Sequence, residues 1–289
     1  MPRKDIFEPG YQLCDAVQAD NLARVKELVG QGVSVNFNQG LAPPPLLSAV
    51  GRESRKMVGF LLAQGADPNI VRKDREDSNT ILIWAMEKGN RAIVEILIAA
   101  GANVDAANGA GATALHIAAM RGFCEVALLL VAGGARLDVF DNEGETPLTL
   151  ATHRQKWKMA RMLAGAGADV NARDNSSRTP MHWATEDSGT LEALIGRNAI
   201  VDVRDKWDQT PLHFAAEGKF VKSMEILVAA GADVDICNYR GLTALDIFPG
   251  LKGIIEKYAG ENAARRQAAL IREQRERMRK IAPKPGPRL

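Results

Sequence analysis

Apolar positions in this chain come in paired bursts, each pair set off from the next by a short polar stretch. The first burst of a pair opens at a threonine, as in Thr113-Ala114-Leu115-His116, Thr146-Pro147-Leu148-Thr149, Thr179-Pro180-Met181-His182 and Thr210-Pro211-Leu212-His213. Threonine caps an orphan backbone N–H, and proline suits the first helical position because its missing donor would be unbonded there anyway. Small residues such as Ala118-Ala119 and Ala215-Ala216 follow and let neighbouring helices approach closely. The second burst is apolar on several sides, as in Ile93, Val94, Ile96, Leu97 and Ile98, and such a helix must be buried between the units before and after it. It stops at Gly32, Gly65, Gly101, Gly134, Gly167 and Gly231, where the left-handed conformation penalises a Cβ. Asn198 takes that place in the sixth pair, and asparagine is the next most tolerant residue.

Weaker copies of the opening begin at Tyr11, Pro44, Thr80 and Thr243, so the steps along the chain are 33, 36, 33, 33, 33, 31 and 33 residues. A period this regular resembles the ankyrin-repeat family, and the resemblance covers residues 8–258. It implies an all-α fold: an α-solenoid of about eight helical pairs joined by β-turn fingers, with repeats near 8–40, 41–74, 77–109, 110–142, 143–175, 176–206 and 207–239 and a capping segment over 240–258. Residues 1–7 form a lead and 259–289 a basic helical tail ending in a proline-rich segment. The 36-residue step places three extra residues within 72–79 and predicts one longer finger. The 31-residue step falls within 185–198 and predicts a sixth pair short by half a turn.

Composition narrows the function. The 289 residues are 46% hydrophobic and 25% charged, with a formal charge of +2, so no strong electrostatic partner is implied for the whole molecule. No apolar run of roughly 18 residues is present, which excludes a spanning helix of the usual kind. The first residues show no apolar segment of a secretory signal, and Cys14, Cys124 and Cys237 match neither a disulfide framework nor a zinc spacing. A reducing compartment, cytoplasm or nucleus, fits best. Residues 261–289 carry nine Lys or Arg against three Glu. That charge leaves open a second function, a nuclear or nucleic-acid-associated regulator binding through the tail.

Enzyme chemistry finds no support. His116, His182 and His213 occupy the fourth place of the helix opening, where the resemblance implies a structural role bracing the turn alongside Thr113, Thr146, Pro147, Thr179 and Thr210. His153 lies out of pattern and reads as a lone surface histidine. The glycines of 165–167 and 109–111 sit at turns of the repeat and open no phosphate-binding unit. No nucleophile, base and orienting group recur together, so no cofactor, metal or small-molecule substrate is expected.

The remaining expectation is recognition of another protein by a chain that is monomeric when unbound. The resemblance implies a concave face made of finger tips and first helices. Most tip residues are polar, but Phe140, Trp207 and Tyr239 are aromatic, and Arg173, Arg204, Lys206 and Arg240 lie among the later tips. Aromatic and arginine side chains carry most of the energy at interfaces. Arg72 and Lys73, in the long finger, form an alternative contact. Trp84, Trp183 and Phe214 stand at the fifth place of the helix opening and read as packing.

Overall fold

The computed structural model describes residues 8–38, 43–71, 79–258 and 260. They fall into two compact units that meet in sequence between Asp169 and Val170. The first holds five helical pairs: α1 (Glu8–Gln18) with α2 (Leu22–Gly30), α3 (Pro45–Gly51) with α4 (Arg55–Ala63), α5 (Ile81–Glu87) with α6 (Arg91–Ala99), α7 (Ala114–Arg121) with α8 (Cys124–Ala132), and α9 (Pro147–His153) with α10 (Trp157–Ala166). The second holds α11 (Pro180–Trp183) with α12 (Ser188–Ile195), α13 (Pro211–Glu217) with α14 (Val221–Ala229), and α15 (Ala244–Ile247) followed by a helical run over 251–258. Among the described residues the β component is the antiparallel bridge between Val71 and Thr80, on either side of the segment where a longer finger is expected. Arg72, Lys73 and the tail at 261–289 lie outside the described residues.

Stacking follows the threonine–glycine punctuation. First helices pack on first helices, α1 on α3, α3 on α5, α5 on α7 and α7 on α9 in one unit, α11 on α13 and α13 on α15 in the other. Second helices do the same, α4 on α6, α6 on α8 and α8 on α10, then α12 on α14. Close approach of the first helices is possible because Ala118, Ala119, Ala215 and Ala216 are buried and small. Each second helix ends in the left-handed region, with φ of 99° at Gly167 and 64° at Asn198, so the asparagine does substitute for glycine there. The second helices are less completely enclosed than their composition suggests. Ile93, Val94 and Leu97 are buried, whereas Ile96 and Ile98 are half-exposed.

A polar ladder ties consecutive pairs together. Asn36, Asn69, Asp105 and Asp138 each accept, through Oδ1, the backbone N–H of Asp67, Asn103, Arg136 and Asp169 at 2.8–2.9 Å. In the second unit Asn171 and Asp202 accept from Ile200 and Asp233 in the same way. Backbone donors at the helix exits are thereby satisfied by side chains of the preceding repeat.

Two sequence expectations need correction. Tyr11 does not open the first helix, because α1 already runs from Glu8 and Tyr11 lies inside it. In the sixth pair the missing residues come from the inter-helix turn. The other turns carry a left-handed residue there, such as Gly122, Gln155 or Lys219, and the sixth carries none. Its first helix tightens instead into a 3₁₀ turn over Ala184–Glu186, and Asp187 caps α12 directly, its carboxylate accepting from Thr190 N–H at 2.8 Å.

Candidate protein-binding surface

Each described finger from residue 108 onward is built on one local device. An Asn or Asp five residues ahead of the helix-opening threonine accepts two backbone N–H groups of its own turn. Asn108 takes those of Ala110 and Ala112, and Asp141 those of Glu143 and Glu145. Asp174 takes those of Ser176 and Arg178, Asp205 those of Trp207 and Gln209, and Asn238 those of Arg240 and Leu242. Such Asx turns fix the loop before any partner arrives. The fourth turn residue is left-handed throughout: Gly111, Gly144 and Gly241, but Ser177 (φ 63°) and Asp208 (φ 56°) in the sixth and seventh fingers.

The finger is then locked to its helix and to the next repeat by the buried histidines. The Thr113 N–H donates to His116 Nδ1 at 3.1 Å, so Nδ1 is the acceptor and Nε2 carries the proton. Nε2 lies 3.1 Å from the Glu145 carbonyl, one repeat on. His182 repeats this between Thr179 and Gln209, and His213 between Thr210 and Leu242. Burial disfavours the imidazolium in all three, holding His182 down at about 4 and lowering His116 and His213 from their ordinary value. The structural role implied for these histidines is thus a neutral bridge between repeats.

His153 is not a lone surface histidine. Its Nδ1 lies 2.8 Å from Glu145 Oε1, and that carboxylate is almost fully buried. Burial pushes the Glu145 carboxyl above its usual value, and the His153 bond opposes the shift. The pair spans the start and end of α9, and related pairs recur as Asn79 with Glu87 and Gln209 with Glu217. Eight residues separate the members of each pair, so each contact closes across a whole helix rather than within one turn.

In the second unit the fingers are also zipped edge to edge. Lys206 N–H donates to the Ser176 carbonyl at 2.9 Å, and Tyr239 N–H to the Trp207 carbonyl at 3.0 Å. Trp207 and Tyr239 consequently stand side by side, 40% and 56% exposed, as their tip positions suggest. Arg173 donates to the Arg204 carbonyl at 2.6 Å, and Arg204 lies 3.7 Å from Asp208. Arg240 Nε donates to the Tyr239 hydroxyl at 2.6 Å and its guanidinium lies 5.1 Å from that ring. Phe140 is 53% exposed but belongs to the other unit.

One residue at the centre of this surface escaped the sequence. Arg178 lies 4.8 Å from the rings of both Trp183 and Trp207 and 5.3 Å from Phe214, while its Nε is 3.4 Å from buried Asp205. Trp183 and Phe214 meet edge to face at 6.1 Å. Both are half-buried, so they pack as expected, yet they pack against the arginine that props up Trp207. Beside this cluster lies a groove of about 500 Å³ lined by Arg178, Trp207, Gln209, Glu217, Asn238, Tyr239, Arg240, Leu242 and Ile247. Among the described residues no cluster of His, Cys, Asp and Glu is arranged to hold a metal, and no helix is long and apolar enough to cross a membrane.

Helical pairs stacked through capped first helices, with preformed fingers between successive pairs, define a repeat protein of the interaction type. A family model described as ankyrin repeats (3 copies) matches residues 13–108, 101–174 and 181–247, and the chain belongs to the ankyrin-repeat family. The zygote-specific protein 3 of Chlamydomonas reinhardtii is 32% identical over 109 residues, 37% of this chain and 28% of the relative. A putative ankyrin repeat protein of fowlpox virus is 36% identical over 94 residues, 32% of this chain and 27% of the relative. A serine/threonine-protein kinase of Mus musculus is 33% identical over 104 residues, 34% of this chain and 12% of the relative. The chain spans less than a third of the length of these relatives. Ankyrin repeats are protein–protein interaction modules without chemistry of their own, and that is the class to which this fold belongs.

Proposed function

We propose that the chain is an adaptor, scaffold or inhibitor that holds a partner protein on the fingers of its second unit. The supporting observation is the adjacency of Trp207 and Tyr239, two large exposed aromatics fixed by the bond between their backbones. Interfaces draw most of their energy from such side chains when they are already ordered, since little entropy remains to be lost. The Asx turns, the histidine bridges and Arg178 supply that order. Arg173, Arg204, Lys206 and Arg240 surround the aromatics and would set orientation and association rate. Phe140, exposed in the other unit, would be a weaker, separate anchor. A cytoplasmic setting suits three free cysteines, one of them exposed.

The test is affinity capture from cell extract with the full chain against a Trp207→Ala, Tyr239→Ala double variant of unchanged circular dichroism. A protein retained by the first and lost by the second supports the reading, and identical capture by both contradicts it.

A further inference from the structure

We infer that the groove beside Trp207 and Tyr239 takes an acidic segment of its partner. One apolar side chain would enter between the rings and a neighbouring carboxylate would meet Arg240. This rests on the protein-binding reading above and adds the partner's chemistry to it.

Charge carries the inference. The finger segments 173–178, 204–209 and 237–242 hold five cations, Arg173, Arg178, Arg204, Lys206 and Arg240, against three aspartates. The aspartates are already engaged. Asp174 and Asp205 accept backbone N–H groups of their own turns, Asp205 also faces Arg178, and Asp208 lies near Arg204. No ion pair engages Arg173, Lys206 or Arg240 among the described residues, leaving an exposed edge of surplus positive charge. Arg240 is the best placed of them. Its Nε is tied to the Tyr239 hydroxyl, so the guanidinium is oriented while its terminal nitrogens remain for a bidentate carboxylate.

The groove itself sets the rest. Trp207, Tyr239, Leu242 and Ile247 give it apolar walls, and Trp207, Tyr239 and Leu242 are among the most exposed large hydrophobics of the unit. A volume of about 500 Å³ receives one or two side chains of a peptide. On one wall Gln209 Nε2 donates to the exposed Glu217 Oε1 at 2.5 Å. That carboxylate repels an acid on its side of the groove, so the apolar residue packs against the rings and the acid is left to Arg240. Glu217 also disfavours a phosphodiester chain, the other ligand that a basic aromatic edge attracts.

A phage-displayed random peptide library panned on the full chain, with binders to Trp207→Ala subtracted, tests this. Enriched peptides should carry Asp or Glu beside an apolar residue. One of them, labelled with fluorescein, should lose affinity about tenfold or more on Arg240→Glu, less on Arg240→Gln, and progressively with added salt. Peptides that depend on Trp207 but are not acidic, or that ignore Arg240→Glu, overturn the inference and leave the protein-binding reading standing. A single-stranded oligonucleotide that displaces the labelled peptide at similar concentration also overturns it. Failure to enrich any peptide dependent on Trp207 overturns both.

Discussion

The finger at 140–145 and the finger at 204–209 share one skeleton and differ in almost everything placed on it. In both the second residue is an aspartate that accepts two turn N–H groups, the fifth is left-handed, and the next residue after the finger is a threonine whose helix is bridged by histidine or capped by threonine. Yet the first is Phe-Asp-Asn-Glu-Gly-Glu and the second Arg-Asp-Lys-Trp-Asp-Gln. One is acidic with glycine at the strained position. The other is neutral overall, Arg204 and Lys206 balancing Asp205 and Asp208, and carries Trp207 at its tip, with Asp208 forced into a conformation that glycine would take freely. Scaffold and decoration are therefore separable: changes to the skeleton should damage stability in both units, and changes to the decoration should damage recognition alone.

The largest effects fall on the skeleton. His182→Ala and His116→Ala each remove a buried bridge and orphan a threonine N–H and a carbonyl, so each should cost about 2–3 kcal/mol in denaturant unfolding. A large loss in one unit and none in the other would break the equivalence. Acid sharpens the contrast. The three histidines have folded pKa values below their unfolded ones, so the unfolded chain binds more protons as pH falls. Their stabilisation is complete above about 6.5 and declines from there toward about 4, where folded His182 also protonates. Glu145 acts with the opposite sign, because its folded carboxyl is held above its unfolded value and gains relative stability as pH falls. Hydrogen exchange should accordingly show the second unit, with His182 and His213, losing protection sooner than the first on acidification.

Effects on recognition come next. Trp207→Ala should weaken partner binding by about 2 kcal/mol at unchanged melting temperature, and Phe140→Ala by clearly less. The smallest effects lie in the turn residues and differ in sign. Gly111→Ala places a Cβ 2.6 Å from Asn142 Oδ1 and 2.9 Å from its backbone nitrogen at positive φ, and should cost about 1–2 kcal/mol. Ser177→Gly relieves a left-handed serine and should gain about 0.5 kcal/mol.

What the sequence revealed was what is chemically local. Threonine caps, first-turn prolines and the left-handed glycines each act within one turn of chain, so the helical pairs and their period were legible from residue type alone. The exposure of Trp207 and Tyr239 followed from their place in the turn. The Asx residues were equally local and stood in plain view five positions before each threonine, but their polar character looked like ordinary turn composition. Arg178 was not legible, since its ring partners Trp207 and Phe214 belong to the next repeat. The Glu145–His153 pair was missed because it closes across a whole helix, and His153 alone carries no hint of a buried carboxylate. The two-residue deletion was visible as a short step, but only packing decided that the turn, rather than a helix, would absorb it.

The most direct test transplants one decoration onto the other skeleton. R204F, K206N, W207E and D208G together give the seventh finger the residues of the fifth at 140–144. The exchanged chain should melt at an equal or slightly higher temperature and no longer bind the partner or the selected peptide. Binding that survives the exchange, or a fold that collapses under it, would contradict the separation of scaffold from recognition.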